Sequence, residues 1–402
     1  MSFRTHPRAT LATLVAVAAL ATVAGPGVAN AQKAPIPAHV GLLTYLSGNA
    51  GLYGTGRASQ SGLQTAVHMI NARGGVAGGH QLVIDNYDTQ SNPGVLLDQA
   101  RRAMADKPTV MTGHLTGGDM ASIQNTLAAG KLPWINNASV ASSVIQQVTT
   151  MRSQSSSNTD TGVLFVQAAK RILGGSLKGK KMAFQGFFQS PISDEIEASA
   201  KKAMKKEGGT VAMSLRDPGV IATWSSQAAN IVNNNIDVVV SAHGTEAGMI
   251  TMAKALNVAG FTGPFISVPS ASGDAMFQGA KVPNLYALRQ SVVDLTGGSP
   301  LVKEILAAKA STTRANGSAQ FFATGYATGW TIAATLNKCG VPCAPDKFMK
   351  TLNGLGPVKM PNNPFLGDIN FTDAYSMHYA QIWKADPKKG YSPSPIGAIV
   401  AS

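Results

Sequence analysis

Residues 113–120, GHLTGGDM, join the apolar run PTVMTG to a helical pattern, and a glycine-rich turn there leaves backbone N–H groups free where a helix begins. Such groups suit an anion, often a carboxylate. A phosphate loop of the form GxxxxGK[ST] would add a lysine followed by a hydroxyl residue, and this turn has neither. The nearest approach to that motif, GGSLKGKK at 174–181, has Lys181 in place of the hydroxyl and precedes a strand, so it reads as a surface turn.

Residues for turnover are missing from the pattern. No GxSxG, HExxH, or GxGxxG followed by an acid occurs. Ser199 and Lys202 form SxxK on a basic helix face, and Asp194 and Glu195 open a helix, where negative charge favours the macrodipole without any catalysis. The histidines at 39, 68, 80, 114, 243 and 378 lack metal-ligand spacing. His243, in SAHGTEAG just past a strand, is a candidate for the wall of a cleft. No catalytic residue, metal ligand or cofactor is expected, and the chain reads as a binder instead of an enzyme.

The elements that must position these turns alternate regularly. AHVGLLTYL is a strand, ASQSGLQTAVHMINARGG a helix, HQLVIDNYD a strand, GVLLDQARRAMAD a helix, PTVMTG a strand, MASIQNTLAAG a helix and LPWINNAS a strand. This βαβαβαβ order predicts a parallel sheet with helices on both faces, which binds ligands beyond the carboxyl ends of its strands. Three turns fall there: YLSGNAGLYGTG, GHLTGGDM and NNASVASS. A serine-rich break at 151–162, MRSQSSSNTDTG, reads as a linker. The alternation then restarts from GVLFVQAAKRIL to GPFISVP, which predicts a second, similar α/β lobe. Beyond Pro283, the strand LYALRQSVVD, the helices SPLVKEILAAKAST, FFATGYATGWTIAATLNKC and APDKFMKTLNG, and the strand HYAQIWKADP are too little for a third domain, so they are expected to complete the two lobes.

Composition bounds the setting. The first residues carry Arg4 and Arg8, an apolar stretch from Leu11 to Val23 and the triplet Ala29-Asn30-Ala31, the pattern of a secretory signal cleaved after Ala31. Residues 1–31 are thus expected to be a signal peptide, leaving 371 residues, about two domains, exported. Losing Arg4 and Arg8 takes the formal net charge from +13 to +11. An exported chain with dispersed charge is not expected to bind nucleic acid. Cys339 and Cys343, in KCGVPCAPDK, are the only cysteines; a CxxxC pair suits neither a metal nor a redox motif, and an oxidising compartment favours a local disulfide.

Four segments together resemble the periplasmic solute-binding proteins of ABC transporters, branched-chain amino acid (Leu/Ile/Val-binding) type: HVGLLTYLSGNAGLYGTG, AVHMINARGGVAGGHQLVIDNYDTQSNP, GHLTGGDM and DVVVSAHGTEAGMITMAKALNVAGF. The resemblance implies the type I periplasmic binding fold, α/β with two similar parallel-sheet lobes joined by three crossovers. Lobe one would hold 36–157 and 293–373, lobe two 158–292 and 374–402. It implies a monomer that closes like a hinge on a small-molecule ligand and delivers it to an ABC permease and ATPase complex; a ligand sensor for a membrane signalling partner is the alternative.

The resemblance also places the site. Thr116, Gly117 and Gly118 would form one grip on a ligand carboxylate, and Ser139 with Val140 the second, although relatives usually have Ser at the position of Gly117 and Thr at that of Val140. Tyr53 and Phe321 fall where aromatic walls are expected. The ammonium side departs from the family: its usual Asp, Tyr and Glu fall near Asn158, Pro191 and Pro269-Ser270, none of them anionic. Asp160 and Glu246 lie nearby in sequence and are the possible substitutes. Since a buried ammonium without an anionic partner costs several kcal/mol, the expected ligand is a small carboxylate without an amino group, or a neutral amide. Phe187 and Phe188 would add aromatic surface; ordinary core packing is the other reading of both. The site set is thus Tyr53, Thr116, Gly117, Gly118, Ser139, Val140, Asn158, Phe187, His243, Ser270 and Phe321.

Overall fold

The computed structural model describes residues 35–217, 223–291, 300, 303 and 319–400. The signal-peptide segment lies outside them, as does almost all of the helix predicted over 299–312. Chain order gives β1 (Ala38–Thr44), α1 (Ala50–Ala72), β2 (Leu82–Asp88), α2 (Pro93–Asp106), β3 (Val110–Gly113), α3 (Gly117–Gly130), β4 (Trp134–Asn136), α4 (Ser142–Gln147) and β5 (Met151–Ser153). Then follow α5 (Asn158–Ile172), β6 (Lys181–Phe187), α6 (Pro191–Lys206), β7 (Thr210–Asp217), α7 (Ser225–Asn233), β8 (Val238–Ser241), α8 (Glu246–Val258), β9 (Phe265–Ser267), α9 (Asp274–Ala280) and β10 (Leu285–Arg289). The remaining elements are α10 (Ala319–Cys339), α11 (Pro345–Asn353), β11 (Tyr379–Asp386) and β12 (Ser392–Val400).

Two sheets result. The first runs β2-β1-β3-β4-β5 and is parallel throughout. Alternation of side chains sends Val40, Leu42, Val110 and Ile135 to one apolar cluster, and Leu43, Met111 and Trp134 to another across the sheet. Both faces are covered, which explains the near-continuous apolar runs of these strands. The second sheet runs β12-β11-β10-β9-β8-β6-β7, parallel from β10 to β7, while β11 and β12 are antiparallel. The expectation of purely parallel lobes is corrected at that edge: β11 and β12 pair as a hairpin around the turn 387–391.

The chain leaves the first sheet after β5, returns beyond β10 so that α10 packs along α1, and joins the second sheet again at β11. The serine-rich linker shrinks to 154–157, because Met151–Ser153 pairs with β4 and Ser157 caps α5 by accepting the Asp160 N–H. YLSGNAGLYGTG is not all loop either, since α1 starts at Ala50. Cys339 and Cys343 form a disulfide between α10 and α11. Among the described residues no helix is long and apolar enough to cross a membrane.

Candidate functional site

Each sheet reverses its strand order once, at β1/β3 and at β6/β8, and the segments that leave those carboxyl ends face one another. Between them lies a cleft of about 660 Å³, within the range of small-molecule sites. Its walls come from both lobes, and among the described lining residues there is no Asp, Glu, Lys or Arg.

The first wall is the turn 114–118. Thr116 caps α3: its Oγ1 accepts the Asp119 N–H at 3.2 Å and donates to the Asp119 carboxylate at 2.8 Å. The Thr116 N–H donates to the Tyr45 hydroxyl at 2.7 Å, and Tyr45 in turn donates to Asp119. Burial and the Asp119 charge push the Tyr45 phenol up, so it remains a donor at neutral pH. The helical ladder begins with the Met120 N–H on the Thr116 carbonyl at 3.0 Å. The N–H groups of Gly117 and Gly118 are left without a partner among the described residues, as the first turn of a helix requires. A Cβ on Gly118 would meet open space, whereas one on Gly117 would overlap Ile192 Cδ1 from the opposite lobe.

Two rings stand beside this turn. His114, 8% exposed, meets Phe321 edge-on with centroids 4.3 Å apart. Burial lowers the imidazole to about 4, against a weaker opposing backbone hydrogen bond at Asn137, so it is neutral at physiological pH. Asn137 is held from behind: it donates to Ser59 Oγ at 2.8 Å, and its Oδ1 competes with Gln154 Oε1, 2.9 Å from the Thr328 hydroxyl, for that hydroxyl's single proton. Ser139 lines the cleft next to it.

The facing wall follows β6, β8 and β9. Phe187 lies on the His243 ring, centroids 4.4 Å apart and planes tilted by 38°. Nδ1 of His243 accepts the Thr245 N–H at 3.3 Å, which leaves Nε2–H to donate to Asp217 at 3.0 Å. Burial lowers the His243 pKa, partly offset by Asp217. A Cβ on Gly248 would overlap this ring, so glycine there makes room for it. Ser190 caps α6 and Thr245 caps α8, so two helix N-termini also point their positive ends at this side of the cleft. Ser270 lines it after β9, and Phe188 stands at the rim, 57% exposed.

The structure thus brings together Thr116, Gly117, Gly118, Ser139, Phe187, His243, Ser270 and Phe321, and leaves three of the expected residues outside the lining. Tyr53 lies on α1 under the Arg57 guanidinium, 5.1 Å from it, while its neighbours Leu52 and Thr55 face the cleft. Val140 is wholly buried in the core under the first sheet. Asn158 is 1% exposed, with its amide donating to the Val140 carbonyl at 3.0 Å and to Glu195 at 2.7 Å. Neither substitute anion reaches the lining: Asp160 is bonded to His378 at 2.8 Å, and Glu246 accepts the Gly273 N–H at 2.9 Å. Sequence reasoning missed His114, Asn137, Gln154, Gln290, Gln320 and Thr245. Of these, His114 and Asn137 directly follow the ends of β3 and β4, and Thr245 lies four residues past β8, all in turns already singled out, the one signal that could have found them.

Two α/β lobes with a ligand-sized cleft at both topological switch points define a solute-binding protein of the type I periplasmic class. Residues 37–385 match the family model of the periplasmic binding proteins, and the chain belongs to that family. Solved structures repeat the fold at low identity. A solute-binding protein of an ABC transporter from R. palustris, in complex with 4-hydroxybenzoate, has a TM-score of 0.74 at 16% identity, covering 91% of this chain and 97% of that one. The branched-chain amino acid transporter substrate-binding protein LivJ of Streptococcus pneumoniae, with isoleucine, has a TM-score of 0.71 at 16% identity, covering 90% and 99%. A fatty acid ABC transporter substrate-binding protein from Thermomonospora curvata has a TM-score of 0.70 at 14% identity, covering 91% and 92%. Comparison with the curated proteins finds no match.

Proposed function

We propose that this chain is the periplasmic solute receptor of an ABC importer, exported by its N-terminal signal, and that its solute is a small carboxylate without an ammonium group. The observation that carries the reading is the cleft lining: Gly117 and Gly118 N–H groups without a partner among the described residues, at a helix N-terminus, and no acidic side chain among the described lining residues. A carboxylate finds donors there, strengthened by its own charge. An ammonium finds no anion, and its desolvation would go uncompensated. The ring pairs Phe187–His243 and His114–Phe321 favour a flat or aromatic body between the poles. That a relative of this fold binds 4-hydroxybenzoate supports the same chemistry, while others bind isoleucine or fatty acids. Delivery to the permease would follow from population shift, because a solute that touches both lobes only when they are closed stabilises closure.

A thermal-shift screen of protein refolded to remove carried solute tests this, with aromatic and aliphatic carboxylates, amides and amino acids as probes. At about 100 times its dissociation constant a true ligand stabilises by about 2.7 kcal/mol. Carboxylates are expected to give that shift and Gly118→Pro, which removes the N–H, to abolish it, whereas Gly118→Ala, which adds a methyl group and keeps the N–H, retains it. A shift that survives Gly118→Pro unchanged excludes this grip.

A further inference from the structure

One contact between the lobes beside the cleft is made by α6. Glu195, one turn into that helix of the second lobe, reaches across to the first. Its carboxylate accepts the Ser142 N–H at 2.9 and 3.1 Å and the Ser142 hydroxyl at 2.6 Å. Ser142 opens α4, whose N-cap residue Ala141 supplies no side-chain cap, so the orphan Ser142 N–H of this helix is met by a residue of the opposite lobe. The same carboxylate accepts the Asn158 amide at 2.7 Å, at the first crossover, while Tyr375 donates to the Val140 carbonyl beside it at 3.3 Å. Three residues earlier on α6, Ile192 packs against the apolar cluster of the first lobe and fills the space in front of Gly117.

We propose that Glu195 is the positioning residue of the binding reaction: a latch that holds the two lobes in the closed arrangement without touching the solute. The inference rests on the reading of the cleft as a closing receptor. Glu195 is absent from the cleft lining; its bonds from Ser142 cross to the opposite lobe, while Asn158, in its own lobe at the first crossover, holds the carboxylate in place. Opening the cleft therefore breaks the Ser142 bonds together and separates Ile192 from Gly117. A charged acceptor with several donors is the strong form of such a contact. The latch biases the open–closed equilibrium, so it scales the affinity for every solute by one common factor and leaves the ranking of solutes unchanged.

Small-angle X-ray scattering on the full mature chain, free of solute, tests the latch apart from any ligand. The native protein is expected to scatter as a more compact average than Glu195→Ala, whose open fraction is larger. A double variant, Ser142→Cys with Glu195→Cys, returns to the compact curve when oxidised and expands on reduction. In titrations with benzoate and 4-hydroxybenzoate, Glu195→Ala is expected to raise both dissociation constants by the same factor, about tenfold. Identical scattering of the native protein and Glu195→Ala overturns the proposal, as does a loss of thermal stability with no change in the curve, which would make Glu195 a helix cap only. If the scattering changes as expected but neither benzoate binds, the latch stands and the carboxylate reading of the cleft falls.

Discussion

His114 shows how burial sets the chemistry of a residue in this cleft. Its imidazole ionises at about 4 instead of 6.5 because the buried site penalises the cation. The unfolded chain therefore binds a proton between these values that the native state does not, so stability is fully present above 6.5 and falls as pH drops through the window. The loss reaches about 3 kcal/mol at pH 4, and His243, also lowered by burial, adds in the same direction. Melting temperatures of the native protein and His114→Phe across pH 7 to 4 should converge on acidification, with the variant less sensitive; parallel curves would show that the histidine already ionises freely in the fold. Legibility at this scale was partial. Thr116, Gly117 and Gly118 were readable because a glycine turn between an apolar strand and a helix has one geometry. Val140 and Asn158 were not, because position in a turn does not say which side chains fold back into the core.

The helices and strands were legible wherever length and periodicity were strong, and glycine was the main source of error. Gly56 lies inside α1, although GLYGTG looks like a turn: a Cβ there would overlap the Tyr45 carbonyl, so the residue permits close approach of helix and strand. The three-residue strand β5 was hidden by its brevity. The edge strand β12 was hidden by Pro393 and Pro395, which are tolerated because one side of it has no partner strand. The short helices α4 and α9 carry too few turns for a period to show. The contact of α1 with α10 depends on the same use of glycine, since a Cβ on Gly62 would overlap the Phe322 carbonyl and one on Gly325 the Ser59 carbonyl. Backbone cannot yield as a side chain tip does, so Gly325→Ala should cost about 2 kcal/mol, read as a lower urea midpoint with unchanged slope. Stability equal to the native protein would mean that the two helices are free to move apart.

At the scale of the whole molecule, the two-lobed plan was evident from the repeated βα alternation, and the crossovers from family resemblance. The antiparallel edge of the second sheet was not, because its strands come from the far end of the chain and pair only in three dimensions. The same holds for the charge of the cleft. Twenty acidic and thirty-three basic residues are spread along the sequence, yet none of the described ones lines the site, and only the folded arrangement reveals that selection. Asp160, Glu195 and Glu246 each stand near the cleft in sequence and are each bonded elsewhere: to His378, to Ser142 and Asn158, and to Gly273. This is why the account assigns the cleft to acids lacking an amino group. Isothermal titration with matched pairs that differ only in that group, leucine against 4-methylpentanoate and phenylalanine against 3-phenylpropanoate, tests it most directly. The account predicts that the deaminated acid of a pair binds and that its amino acid binds about 100-fold more weakly, the ratio set by about 2.7 kcal/mol of uncompensated ammonium desolvation. Tighter binding of either amino acid than of its deaminated partner would contradict it.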